Sequence, residues 1–105
     1  MMFVVCGLNH KTAPINVREK VASSSAIQDF LLHNLLSLPD INEAAILSTC
    51  NRMEIYCYTH NPRVLSSWLA QTYQLPVESL VPFLYLHQND QGIKHTLRVL
   101  LIKGW

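Results

Sequence analysis

Apolar and polar positions follow two different periods along this chain. Phe3 to Leu8 is a short apolar run with the β-branched pair Val4 and Val5, which predicts a buried strand. The polar stretch Asn9-His10-Lys11-Thr12-Ala13-Pro14 predicts a loop. Asn16, three residues before Glu19, predicts a capped short helix running through Val21. Ser23-Ser24-Ser25 interrupts it, and Ser25 with Gln28 repeats the capping pattern. Ile27, Phe30, Leu31, Asn34, Leu35 and Leu38 recur at helical spacing, so residues 26–38 form an amphipathic helix ended by Pro39-Asp40.

Ala44 to Thr49 is the second strand and Met53 to Tyr58 the third. In the latter, Met53, Ile55 and Cys57 alternate with Glu54, Tyr56 and Tyr58, the two-residue period of a strand, and this puts Glu54 on the face away from Met53 and Ile55. Cys50-Asn51-Arg52 is too short for a crossover helix, so these two strands form an antiparallel hairpin. Asn61-Pro62 reads as a cap followed by proline at the first position of a helix whose buried face carries Leu65, Trp68, Leu69 and Thr72. Pro76 and Pro82 bracket a linker, Leu84 to His87 is a fourth strand, and Asn89-Asp90 caps a last helix holding Ile93, Leu97 and Leu100. This order predicts an α+β fold: a ferredoxin-like βαββαβ sandwich with an antiparallel four-stranded sheet, helices on one face and an added C-terminal helix.

Composition narrows the function. A chain of 105 residues makes one domain. Half its residues are hydrophobic and only 14% charged, which excludes disorder and points to apolar surface meant for a partner or another domain. With Lys+Arg 8 against Asp+Glu 7, the chain lacks the basic excess of a protein that grips nucleic acid by charge alone. No apolar run reaches the roughly 18–20 residues of a membrane span. Met1 to Leu8 lacks a basic leader and a cleavage site, so it reads as a strand and not a signal peptide. Three cysteines without a secretion signal imply reduced thiols and a cytoplasmic location.

Cys50 is the sharpest chemical candidate. It sits in the polar turn Ser48-Thr49-Cys50-Asn51-Arg52, where Arg52 supplies positive charge and the turn amides and polar side chains can donate to an oxyanion. The competing reading is a small buried hydrophobe, the usual fate of a free cysteine and the one expected for Cys6 and Cys57. Arg52 is either a bidentate grip on a carboxylate or a solvated charge, with a surface ion pair to Glu54 the simpler expectation. His10 and His95 can approach Cys50 at one edge of the sheet, although each taken singly reads as a surface or core histidine. The five histidines show no His-x-x-x-His spacing and the cysteines no Cys-x-x-Cys, which argues against a structural zinc site. Gly7, Gly92 and Gly104 lie too far apart for a phosphate-binding loop. Trp68 with Leu69, and Tyr56 with Tyr58, read as packing and not as a base-stacking platform.

The run Gly7-Leu8-Asn9-His10-Lys11-Thr12-Ala13-Pro14 with Val17-Arg18-Glu19, and the segment Leu47-Ser48-Thr49-Cys50-Asn51-Arg52-Met53-Glu54-Ile55-Tyr56, resemble the opening and the nucleophile motif of glutamyl-tRNA reductase. Leu84 to Asp90, His95 and Arg98-Val99 are similar to the end of that family's N-terminal catalytic domain. The resemblance covers residues 3–99. It implies an NADPH-dependent oxidoreductase that makes glutamate-1-semialdehyde for porphyrin (tetrapyrrole) biosynthesis. Cys50 would form a thioester with glutamate from glutamyl-tRNA. Thr49, Cys50, Asn51 and Arg52 would contact the substrate, with Arg52 clamping its carboxylate. Glu54 would add to glutamate recognition, and His95 would move a proton or polarise a carbonyl. The family also implies a homodimer and a downstream aminomutase partner. Residues 1–99 are then the catalytic domain, and residues 100–105 a tail unlike the family, as a truncation or a shifted reading frame would produce. NADPH would bind a domain that is absent here. Leu97, Leu100, Leu101 and Ile102 would be left as an apolar cluster open to self-association. The alternative is a catalytically incomplete remnant, a ferredoxin-like module that binds a ligand or a partner.

Overall fold

A computed structural model describes residues 1–22 and 24–101. Strand β1 (Met2–Asn9) leads into helices α1 (Ile15–Val21) and α2 (Ser25–Leu36), then the hairpin of β2 (Ile41–Ser48) and β3 (Arg52–Thr59). Helix α3 (Arg63–Thr72), a single turn α4 (Val77–Leu80) and a 3₁₀ turn follow, then β4 (Tyr85–Gln88) and helix α5 (Asp90–Leu101). The strands pair in the order β2-β3-β1-β4, and every neighbouring pair is antiparallel. This is the ferredoxin-like α+β sandwich that the pattern predicts.

Period-two alternation builds the core. Val4, Cys6 and Leu8 of β1 and Met53, Ile55 and Cys57 of β3 share one face of the sheet. Val17 and Val21 of α1, Leu31 and Leu35 of α2, and Leu65, Trp68 and Leu69 of α3 close over them. Trp68 completes the join between the two longer helices by donating its indole N–H to Asn34 Oδ1 at 2.8 Å. Helix α5 takes the opposite face, packing on β1 and β4. It comes close because Gly92 has no side chain, so a Cβ there would stand 3.1 Å from the Phe3 ring. Turned this way, α5 buries Gly92 and His95 and leaves Ile93, Leu97 and Leu100 exposed as an outward stripe. The helix runs without a break across residues 99 and 100. Ile102 to Trp105 lie outside the described residues, and so does Ser23.

Several boundaries differ from the expectation. Strand β2 begins three residues earlier than predicted, because a bulge with Glu43 at φ 43° breaks the alternation between Asn42 and Ala44. Asn16 does not cap α1. Pro14 holds the cap position without a side-chain bond, and Asn16 falls in the first turn. Ser24, not Ser25, precedes α2, again with no side-chain cap. Asn61 does contribute, its Oδ1 accepting the Arg63 N–H at 3.2 Å. The segment between Pro76 and Pro82 is structured and not a linker, and it sends Leu80 into the core.

Candidate active site

The β2–β3 hairpin turns through Thr49, Cys50, Asn51 and Arg52. The Thr49 N–H donates to the Arg52 carbonyl at 2.8 Å, closing the turn. Thr49 Oγ1 accepts the N–H groups of Asn51 and Arg52, both at 3.2 Å, so these two amides are engaged inside the turn. Cys50 is exposed at the tip, whereas Cys6 and Cys57 are buried. Burial and the neighbouring Cys57 push the Cys6 thiol up to about 12, and burial pushes Cys57 up to about 11. Cys6 and Cys57 are buried as expected, and of the two readings open for Cys50 its place is the exposed one.

Arg52 points inward. Its Nη1 lies 3.4 Å from Glu54 Oε1, and both residues are buried. The expected surface ion pair is therefore an interior one, because β3 is a central strand whose second face α5 roofs over. Glu54, with no solvent exposure, is the hub of that face. Tyr56 donates to Oε1 at 2.5 Å, while Tyr85 from β4 and His95 from α5 bond to Oε2. Burial alone would raise the Glu54 pKa. The hydrogen bonds from Tyr56, Tyr85 and His95, with the electrostatic influence of His95, outweigh it and hold the carboxyl below its usual range. Burial and the bond to Glu54 push both tyrosines up. Gly7, paired with Glu54 across β1 and β3, makes the space: a Cβ there would lie 2.3 Å from the Met53 carbonyl and 2.9 Å from Glu54 Cγ.

His95 therefore reaches this hub and also stacks on His87, with ring centroids 4.5 Å apart. His10 is exposed in the first loop, which Asn9 organises by accepting the Lys11 N–H at 2.9 Å and the Thr12 N–H at 3.1 Å. The structure thus gathers Arg52, Glu54 and His95 into one buried cluster and sets Thr49, Cys50 and Asn51 on the turn beside it.

A family model for the glutamyl-tRNAGlu reductase N-terminal domain matches residues 6–101. The chain belongs to this family. It is 68% identical over 99 residues to glutamyl-tRNA reductase of Legionella pneumophila, covering 94% of this chain and 23% of that protein. It is 44% identical over 103 residues to the Pelobacter propionicus protein of the same name, covering 94% and 24%. The Nitrosomonas europaea protein is 43% identical over 99 residues, with the same coverage. The chain spans about a quarter of the length of these curated relatives.

As a glutamyl-tRNA reductase N-terminal domain, the chain offers no cradle for a dinucleotide among its described residues. Gly7 is locked in the sheet against Glu54 and Gly92 in a helix against Phe3, so neither can bring backbone amides to a pyrophosphate. Among the described residues no group of three or more His, Cys, Asp or Glu could hold a metal ion, and no helix is long and apolar enough to cross a membrane. Sequence reasoning missed two participants. Tyr85 joins Glu54 from a strand 31 residues away, and Arg18 of α1 donates from Nη1 to the Cys50 carbonyl at 2.9 Å. Arg18 stands in the Val17-Arg18-Glu19 motif, which was the only signal available for it.

Proposed function

We propose that this domain carries the acyl-transfer half of glutamyl-tRNA reduction in porphyrin biosynthesis. The Cys50 sulfur attacks the ester carbonyl carbon joining glutamate to the tRNA terminus. The carbon–oxygen bond to the ribose breaks, the thiol's proton ends on the departing ribose oxygen, and glutamate remains as a Cys50 thioester. The observation that carries this reading is the exposure of Cys50 alone among the three cysteines, at the tip of a closed hairpin turn. Thr49 and Asn51 shape the turn, and Arg52 is the first residue of β3, the strand that leads away from it. Glu54 has both oxygens occupied by the chain's own donors. Its part in glutamate recognition is therefore indirect: it sets the orientation of Arg52 and His95, which are the groups able to meet a carboxylate or move a proton. The chain spans about a quarter of its curated relatives' length, and the proposal ends at the thioester. Family membership and the intact site favour this reading over a partner-binding remnant.

The test is incubation of the chain with glutamyl-tRNA, quenching in acid and intact-mass analysis. The wild type should gain one glutamyl group that hydroxylamine removes, and Cys50→Ser should gain none. Deacylation at the background rate by both proteins, with no adduct, would refute the proposal.

A further inference from the structure

The peptide that follows Cys50 is gripped at both ends. Its carbonyl accepts the Arg18 guanidinium at 2.9 Å, and its N–H, on Asn51, donates to Thr49 Oγ1 at 3.2 Å. A planar peptide held by its oxygen and its nitrogen cannot swing about the flanking dihedrals without breaking a bond. Hydrogen bonds in line through one peptide also polarise each other, so each grip strengthens the other. The orientation of the peptide that follows Cys50 is thereby fixed.

Arg18 is well placed for this. Val17 and Val21 bury one side of α1 in the core and set the helix's rotation, which brings the half-buried Arg18 against the turn 32 residues away. The arrangement is not optimal for the arginine itself. Its Nε is buried and has no acceptor among the described residues. A buried unpaired donor is a cost that folded chains generally avoid, and local conflicts of this kind concentrate where a side chain is held for function. Arg52 turns inward to Glu54, and Arg18 is a cation bonded to the Cys50 carbonyl.

We infer that Arg18 is a positioning residue for the nucleophile: with Thr49 it clamps the Cys50–Asn51 peptide, aims the thiol outward and puts a permanent positive charge beside it. The link to acyl transfer rests on the function proposed above, but the clamp itself does not.

The experiment therefore has two arms. In the first, without tRNA, iodoacetamide alkylation of Cys50 is followed by peptide mass across pH in wild type, Arg18→Gln, Arg18→Lys, Thr49→Val and the Arg18→Gln/Thr49→Val pair, with thermal midpoints measured in parallel. Arg18→Gln should slow Cys50 by about tenfold. Arg18→Lys should recover part of the rate, and the double variant should be no slower than Arg18→Gln. Rates within twofold of wild type, or single effects that multiply in the double, would overturn the clamp. So would a loss that simply follows the thermal midpoint. Should Arg18→Gln not fold, Arg18→Lys, which keeps the charge without the planar fork, supplies the same comparison. In the second arm, single-turnover acylation by glutamyl-tRNA should slow in Arg18→Gln at saturating substrate, with half-saturation unchanged. Wild-type acylation that Arg18→Gln leaves intact defeats the positioning role alone. An alkylation effect with no acylation even in wild type defeats the acyl-transfer reading and leaves the clamp standing.

Discussion

Strand β3 displays two kinds of interior side by side. Met53, Ile55 and Cys57 face α2 and α3 and meet only apolar neighbours, while Glu54 and Tyr56 face α5 and meet Arg52, Tyr85 and His95. Ile55 and Glu54 are equally sealed, each with no solvent exposure. What differs is the helix that covers them. Helices α2 and α3 bring leucines and a tryptophan to the sheet, whereas α5 brings Gly92 and His95 and keeps Ile93, Leu97 and Leu100 outside. The first interior is held by area and shape and tolerates any side chain that fills the volume. The second is held by directional bonds converging on one carboxylate, and it tolerates only that carboxylate at that distance.

The sharpest way to break this comparison is to perturb neighbouring residues of β3. Glu54→Gln keeps the shape but removes the charge from a buried set of four donors, and it should cost about 3–5 kcal/mol in urea unfolding. Shortening the side chain by one methylene in Glu54→Asp should lose much of the same energy. On the other face Ile55→Val, also a loss of one methylene, should cost only about 0.5–1.5 kcal/mol. If Glu54→Gln cost no more than Ile55→Val, the second face would be an ordinary core with polar decoration.

A smaller effect belongs to Gly7, which sits where the two interiors share a backbone. Gly7→Ala drives its Cβ against the Met53 carbonyl and Glu54 Cγ, backbone and hub at once, and should cost about 1–3 kcal/mol. It should also weaken the Tyr85–Glu54 contact, visible as a change in near-ultraviolet tyrosine circular dichroism. An unchanged unfolding midpoint would show that β1 and β3 can separate there freely.

The apolar interior was legible in the sequence and the polar one was not, for a physical reason. Period-two and helical spacing report which side of an element is apolar, and they place Val4, Leu8, Ile55, Leu31 and Leu65 correctly. The same alternation marks Glu54 and Tyr56 as the other side, which reads as solvent unless something covers it. The cover is α5, whose inward residues include a glycine and a histidine while Leu97 and Leu100 lie exposed, so no apolar stripe on it marks the face that meets Glu54. Tyr85 and His95 reach Glu54 from 31 and 41 residues away, and no local spacing encodes such contacts. The turn lay between these extremes. Its residues and the exposure of Cys50 were readable from polarity and hairpin length, but its brace from Arg18 was not.

The smallest effect is in the pH dependence, and it separates two parts of the polar face. Burial, then the charge of His95 and that of Arg98, lowers the His87 pKa, and Glu54 only partly opposes them. An unfolded histidine takes its proton near 6.5, so below that pH the unfolded chain binds the proton first. Stability should therefore begin to fall as pH drops through 6.5, and should stop falling on this account once His87 protonates in the fold. Glu54 acts in a lower window. Its folded pKa lies below 4.5, the value for an unperturbed carboxyl, so its contribution is intact above that pH and is lost as pH falls through the folded value. His87→Gln should flatten the upper limb of the urea midpoint against pH and leave the lower one. Glu54→Gln should remove the lower limb. A His87→Gln curve that still declined from 6.5 downward would assign that limb to another group and detach His87 from the network that α5 closes.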